Sequence, residues 1–284
     1  VVEDLRRIKG VVDTPILVDC DTGWGSGLNI SKTLKEMISA GADAVHLEDQ
    51  VSEKRCGHRP GKEIVSEEEM VDRIKAAKDS ITKKDFMLMA RTDSFSKEGI
   101  NSVIDRSNAF IEAGADSIFP EAITKLDDYL KIYRKISVSC DYVAINVSSP
   151  NTEALRELQR KEYLEVLLRD ISQIRNEETN RKPIMLKIDP DNTNDHYSMI
   201  LNLVNKYNID GIIATNTSLS RPETLRDLNK KRDGGLSGTP IKDLSDKVLK
   251  FLYRETNQEL ISVSYTHLRA HETKANIVCR LLLE

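Results

Sequence analysis

No run of about 18 consecutive apolar residues occurs, and no basic segment leads into a short apolar one. The sequence therefore shows neither a membrane-spanning stretch nor a secretory signal. Net charge is −4, so no global basic field points to nucleic acid. Cysteine is sparse and scattered: Cys20, Cys56, Cys140 and Cys279 form neither a disulfide framework nor a CxxC zinc site. A reducing cytoplasm is the expected compartment. There is no initiator Met, and Val1 opens inside an amphipathic pattern (Val2, Leu5, Ile8), so the chain reads as a fragment from its first residue. Within these limits, 284 residues with 39% hydrophobic content suffice for a sizeable core in one large or two smaller domains.

What is present is an alternation. Apolar runs at Ile16–Val18, Ala44–Leu47, Phe86–Ala90 and Ser117–Phe119 predict strands. The 3.6-residue patterns at Ser31–Ala40, Glu67–Ala77 and Ile100–Glu112 predict helices, the second opened by a capping box at Ser66 and Glu69. Such βα units imply a parallel sheet. Polar residues gather where each strand stops: DCD after Val18, EDQ after Leu47, RTD after Ala90, PEA after Phe119. In a (β/α)₈ barrel those ends form the catalytic face. The stretch from Lys54 to Lys62, KRCGHRPGK, adds a thiol, an imidazole and several cations. Aspartates such as Asp19 and Asp21 suit Mg²⁺, clustered cations suit a polycarboxylate, and a thiol beside Arg, Lys and His is suited to proton transfer. Cys20 reads as core, His46 as packing or function equally, and Trp24 has no assigned chemistry.

LVDCDTGWG, AGADAVHLEDQV, KRCGHRPGK, VSEEEMVDRIKAA, MARTD and EAGADSIFPEA together resemble the isocitrate lyase/phosphoenolpyruvate mutase superfamily, and within it the 2-methylisocitrate lyases. The likeness runs from Val1 to Leu126. It implies Asp19 and Asp21 on Mg²⁺ with Glu48 on the metal's water shell. It also implies Cys56 as the acid/base, Gly57 on the substrate, Arg91 and Glu121 as substrate contacts, and His58 supporting the loop. The implied reaction is retro-aldol cleavage of 2-methylisocitrate to pyruvate and succinate. The family's first barrel strand would lie before Val1, and its last three do not follow Leu126.

After Leu126 a second alternation begins without a Pro/Gly/Ser linker; LDDYLKIY reads as a helix belonging to either side. Strands are expected at Tyr142–Val147, Ile184–Lys187, Gly211–Ala214 and Leu260–Val263, with helices at Leu155–Leu168, Tyr197–Lys206 and Leu244–Leu252. Their ends carry amides, hydroxyls and one lysine, Lys187, groups that suit a planar heterocycle and a flavin. INVSSPNT, LRELQ, IMLKIDPD, DGIIATNTSLSR and GGLSGTPI resemble class 2, quinone-linked dihydroorotate dehydrogenase. That likeness implies Ser149 as the base and Asn146, Asn151, Asn216 and Thr217 around the pyrimidine. Lys187, Thr215 and Gly238 would touch FMN. ELISV stops where that family continues into its FMN phosphate loop.

The tail from Val263 to Glu284 fits neither pattern. Its His267, His271 and Cys279 could be read as a metal site, but VSYTHLRAHET resembles translated sequencing-adaptor read-through. The expected organisation is thus a partial lyase barrel over 1–126, a partial dehydrogenase barrel over 127–262, and a non-native tail over 263–284. The expected fold is α/β: a TIM (β/α)₈ barrel assembled as a hybrid of two partial barrels, with the Cys56 and Ser149 loops on one rim. The functional readings open at this point are a Mg²⁺ lyase, an FMN dehydrogenase, and a chimera of joined sequence fragments without activity of its own. Partners are expected to be small molecules, 2-methylisocitrate and dihydroorotate, with no nucleic acid.

Overall fold

In the computed structural model, the described residues are 1–11, 13, 15–54, 61–123, 125–137, 140, 142–150, 155–179, 181–223, 225 and 234–262. The polypeptide divides into two compact units between Ser139 and Cys140. The first unit contains helix α1 (Val2–Lys9), β1 (Leu17–Asp19), α2 (Gly27–Ala40), β2 (Ala44–Glu48), α3 (Glu67–Lys78), β3 (Met87–Thr92), α4 (Phe95–Glu112), β4 (Ser117–Pro120) and α5 (Leu126–Ile136). Helix α5, which the sequence alone left to either side, packs against α4 in the first unit. The second contains β5 (Val143–Asn146), a 3₁₀ turn at Leu155–Gln159, α6 (Lys161–Glu177), β6 (Ile184–Ile188) and α7 (Asn194–Lys206). It continues with β7 (Gly211–Ala214), a 3₁₀ turn at Thr239–Ile241, α8 (Lys242–Glu255) and β8 (Glu259–Ser262).

Each unit holds a four-stranded, all-parallel sheet in chain order, β1-β2-β3-β4 and β5-β6-β7-β8. The parallel βα units bear out the expected α/β barrel class, and the strand ladders run within each unit as two sets of four. The strands read as near-continuous apolar runs, as parallel strands do. Val18, Val45, Leu47, Leu88 and Ala90 are buried in the first unit, and Ile145, Leu186, Ile212 and Ile213 in the second. Helix α2 contributes Ile30, Leu34 and Met37, one stripe at i, i+4, i+7, all fully buried. It ends at Gly41, whose φ of 101° lies in the left-handed region that favours glycine at a helix C-terminus. At α3 the Ser66 Oγ accepts from the Glu69 amide (3.2 Å), while the Glu69 carboxylate pairs with Arg73 (2.6 Å). One half of the expected capping box is therefore formed and the other is diverted to an i, i+4 ion pair.

The helix expected over Leu155–Leu168 is broken. LRELQ forms a 3₁₀ turn, Arg160 is extended (ψ 143°), and the α-helix starts at Lys161. The reason is tertiary. The Gln159 amide donates to Asp189, and Arg156 donates to the Ser148 and Thr217 carbonyls. These bonds hold the turn toward the strand ends and override its helical periodicity.

A recurrent aspartate locks the opposite end of the sheets. Asp43, Asp116 and Asp210, each just before a strand, accept the Ile16, Leu88 and Ile184 amides at 2.9, 2.9 and 2.8 Å. Each is matched by cations: Lys9 and Lys83 on Asp43, Lys78 on Asp116, Arg175 and Arg181 on Asp210.

Candidate active sites

In the first unit the register places Asp19 beside His46, Glu48 beside Arg91, and Arg91 beside Phe119. The carboxyl ends of β1, β2 and β3 therefore deliver Asp19, Glu48 and Arg91 to one edge, and Glu121 follows β4. Arg91 is the hub. Its Nε lies 2.9 Å from Asp93 Oδ2 and 3.6 Å from Glu48 Oε2, and its Nη2 reaches Glu121 Oε2 at 3.2 Å. Its guanidinium also covers the Phe119 ring at 5.4 Å. Burial works against its charge, but Glu121, Asp93 and Glu48 more than offset that and push its pKa up. Beneath it, Lys62 Nζ donates to Asp93 Oδ1 (2.9 Å) in a fully buried pair. Asp49 accepts from Thr92 Oγ1 (2.7 Å), the Asp93 amide (2.8 Å) and Arg106 (3.3 Å).

Around Asp21 the backbone is strained: Asp21 and Trp24 have φ of 52° and 57°, and Ala122, after Glu121, has 59°. Such geometry persists where the surroundings over-determine it. Here the Asp21 amide donates to Asp19 Oδ1 (2.8 Å) and the Ala122 amide to Glu121 Oε1 (2.9 Å). Trp24 Nε1 donates to Asp21 Oδ2 at 3.0 Å, which supplies the contact sequence reasoning did not find for Trp24. Lys54 Nζ pairs with Asp21 Oδ1 and lies 3.7 Å from Glu48 Oε1. Burial lowers the Lys54 pKa, but the Asp21 hydrogen bond and the Glu48 and Asp19 charges outweigh it and raise it. Glu48 is pushed up to about 7 by burial, against the pull of Arg91 and Lys54. His46 is lowered by burial despite nearby Asp19, and packs edge-on to Phe119. Burial and Asp19 and Asp21 raise the Cys20 thiol, which is a core group.

The donor chemistry here fits Mg²⁺: hard carboxylate oxygens from Asp19, Asp21 and Glu48, with both Glu48 oxygens buried and without a hydrogen bond. In the arrangement present, the cation among them is the Lys54 ammonium. No group of three or more His, Cys, Asp or Glu among the described residues is disposed to hold a metal ion.

In the second unit the strand ends carry an uncharged network. Asn146 Oδ1 accepts from the Ser148 amide (3.1 Å) and hydroxyl (3.0 Å), and Asn216 Nδ2 donates to Ser148 Oγ (3.1 Å). Asn216 Oδ1 takes the Thr217 amide at 2.7 Å. Register pairs Asn146 with Lys187, which is buried, as is Ser149. Thr217 Oγ1 is buried without a hydrogen-bond partner, and Thr215 Oγ1 lies 2.9 Å from Ser245 Oγ. Gly238 has a φ of 77°, and a Cβ there would meet nothing within 4 Å, so open space adjoins it.

The structure thus brings together Asp19, Asp21, Glu48, Arg91 and Glu121 in one unit and Asn146, Asn216 and Thr217 in the other. Cys56, Gly57, His58 and Asn151 lie outside the described residues, as does the tail with His267, His271 and Cys279. Sequence reasoning did not single out Asp93 or Asp49, and it read Lys54 and Lys62 only as part of a cationic stretch, not as partners of Asp21 and Asp93. Asp93 stands in the RTD and Asp49 in the EDQ already marked as strand ends, so position alone could have found them. Arg156 and Asp191 stand in the quoted LRELQ and IMLKIDPD, but no role was read for either.

Residues 1–162 match the family model described as phosphoenolpyruvate phosphomutase, and residues 84–265 that of dihydroorotate dehydrogenase. A 2-methylisocitrate lyase of Vibrio cholerae is 57% identical over 129 residues, covering 45% of this chain and 42% of that protein. The chain spans less than half the length of the curated relatives it matches. Among solved structures, oxaloacetate acetylhydrolase bound to the inhibitor 3,3-difluorooxalacetate is similar at TM-score 0.50 and 29% identity, over 55% of each chain. Dihydroorotate dehydrogenase of Eimeria tenella in complex with ferulenol is similar at TM-score 0.57 and 20% identity, over 87% of this chain and 69% of that one. The second likeness is one of fold.

Proposed function

The chain belongs to two enzyme families, phosphoenolpyruvate phosphomutase over residues 1–162 and dihydroorotate dehydrogenase over residues 84–265, and on that premise we propose a Mg²⁺-dependent carbon–carbon lyase site in its first unit. The substrate is 2-methylisocitrate, cleaved to pyruvate and succinate. The observation that carries this reading is the convergence of Glu48, Arg91, Asp93 and Glu121 at successive strand ends, within a segment 57% identical to a 2-methylisocitrate lyase.

In this reading Arg91 binds and orients a substrate carboxylate, and Asp93 and Lys62 hold its guanidinium fork in place. Asp19 and Asp21 would hold Mg²⁺, with Glu48 on its water shell, and the ion would supply positive charge where an enolate oxygen develops. As the C–C bond breaks, the substrate's carbinol gives up its hydroxyl proton to become the pyruvate ketone, the bonding pair stays on the succinate carbon, and Cys56 protonates that carbon; Gly57 contacts substrate and His58 supports the loop. The apolar wall of His46 and Phe119 keeps water from Arg91.

The second unit carries a dehydrogenase portion acting on dihydroorotate. Ser149 takes a ring proton, and Asn146, Asn151, Asn216 and Thr217 bind the pyrimidine. Lys187, Thr215 and Gly238 line FMN, which accepts hydride when bound. The support is the amide–hydroxyl network of Asn146, Ser148 and Asn216. No described helix is long and apolar enough to cross a membrane; we place the protein in the cytoplasm.

The lyase reading is tested on the full chain by following pyruvate release from 2-methylisocitrate as Mg²⁺ is added and then removed with a chelator. Mg²⁺-dependent pyruvate supports it; none overturns it. The rival reading, joined fragments without activity, is tested on source DNA. A product amplified between the Arg91 and Lys187 codons establishes the fusion, and separate products without one across Leu126 establish two parent genes.

A further inference from the structure

The LRELQ turn does more than connect β5 to α6. Arg156 projects its guanidinium among the loops at the carboxyl ends of three successive strands. Its Nε donates to the Ser148 carbonyl after β5 (3.2 Å), its Nη2 to the Thr217 carbonyl after β7 (3.0 Å), and its Nη1 to Asp191 Oδ2 after β6 (2.7 Å). Asp191 returns to the β7 loop. Its Oδ2 accepts the Leu219 amide at 2.8 Å and its Oδ1 accepts the Ser218 hydroxyl. Asp189 closes the base, accepting from Gln159, the Asp191 amide and Asn192.

We propose that Arg156 and Asp191 form a positioning staple for the pyrimidine site of the second unit, a role that rests on the dehydrogenase reading and deepens it. The carbonyl of Ser148 belongs to the peptide that carries Ser149. Holding that oxygen fixes the peptide plane and with it the direction of the Ser149 side chain. The carbonyl of Thr217 belongs to the peptide that carries Ser218, and holding it anchors the loop beside Asn216, whose amide reaches back to Ser148 Oγ at 3.1 Å. One planar fork thus sets two loops against each other, a task suited to arginine and not to the point charge of lysine. The pair lies near the surface, with Arg156 and Asp191 side chains 21% and 19% exposed, and its geometry is held by three hydrogen bonds from one guanidinium. Thr217 Oγ1 is buried and unpartnered beside this staple.

The test uses the full chain with FMN and titrates orotate by calorimetry, beside thermal melts. Arg156→Met is expected to weaken orotate binding by about tenfold or more, the scale on which small misplacements act. The melting temperature should stay within a few degrees of the unsubstituted chain, as judged for a surface-near substitution. Arg156→Ala should regain part of its binding in millimolar guanidinium ion, and Arg156→Lys should remain impaired. Asp191→Asn, less disruptive to folding, should weaken binding in the same direction. Unsubstituted protein that binds orotate together with an Arg156→Met variant that binds it equally overturns the staple alone. Loss of binding that follows a fall in melting temperature and is not regained in guanidinium also overturns it. Unsubstituted protein that fails to bind orotate overturns the dehydrogenase reading, and the staple with it.

Discussion

Lys62 Nζ and Asp93 Oδ1 lie 2.9 Å apart with both side chains out of contact with solvent, and the same Asp93 grips Arg91 through both of its oxygens. The arginine at the centre of the candidate lyase site thus stands on a buried ion pair whose two members are 31 positions apart in the chain.

Removing one partner takes a buried charge-assisted hydrogen bond from the other, a cost of about 1.5–3 kcal/mol. Lys62→Met and Asp93→Asn are each expected to lower the stability of the first unit on that scale. The double variant should recover a substantial part of the loss. Urea unfolding of the four proteins measures this as a double-mutant cycle; additive losses would mean that the pair is not coupled.

Trp24 is the sole tryptophan, and its indole donates to Asp21. If Asp19, Asp21 and Glu48 take a divalent cation, the Lys54 ammonium must leave them. Mg²⁺ should then change Trp24 emission, and Lys54→Met should shift the titration to lower Mg²⁺. Asp21→Asn should remove the response. Flat emission across the titration in the unsubstituted protein counts against these carboxylates as a cation site.

Asp43 is partly buried, which alone raises its pKa. Hydrogen bonds from Lys83, the Ile16 amide and Lys9 outweigh this and hold it below the ordinary aspartate value of 3.8. A depressed carboxylate contributes stability that is present above its unfolded pKa and lost as pH falls through the folded one. Asp43→Asn is therefore expected to be destabilised at pH 7, by roughly 1–2 kcal/mol for the lost charged hydrogen bonds. The gap to the unsubstituted protein should close below about pH 3.8. Chemical denaturation at a series of pH values reads it directly.

Gly211 opens β7 where a Cβ would stand 2.6 Å from the Glu259 carbonyl oxygen and 2.7 Å from Met185 Sδ. The methionine can move, but the carbonyl belongs to the β7–β8 ladder. Gly211→Ala should cost about 1–3 kcal/mol as an overpacked site and speed amide exchange at β8. Unchanged exchange there would show that the ladder absorbs the methyl.

Much of the site was legible because strand ends declare themselves. Asp19, Glu48 and Arg91 each close an apolar run, and a parallel sheet carries such residues to one edge whatever the details of packing. His46 was ambiguous in sequence because a period of two places it on the same face as Glu48. In the structure its ring packs edge-on to Phe119 while Nδ1 lies 3.4 Å from Asp19 Oδ1, so it joins a packing face to a polar contact with a strand-end carboxylate. The Leu155–Leu168 helix misread has the same root. Its periodicity is helical throughout, and only Arg156 and Gln159 bonding to distant loops breaks it.

The sequence by itself determined the alternation of βα units, the parallel class of the sheets, and the chemistry brought to each strand end. These follow from local period, burial and turn residues, which act over a few positions. Tertiary structure decided the grouping of strands into two four-stranded sheets, the pairing of Lys62 with Asp93 and Lys54 with Asp21, and the reach of Arg156 across three loops. Such pairings join residues far apart in the chain. Which cation meets which carboxylate is set by the packed geometry that brings them within a few ångströms, and no local pattern carries that information.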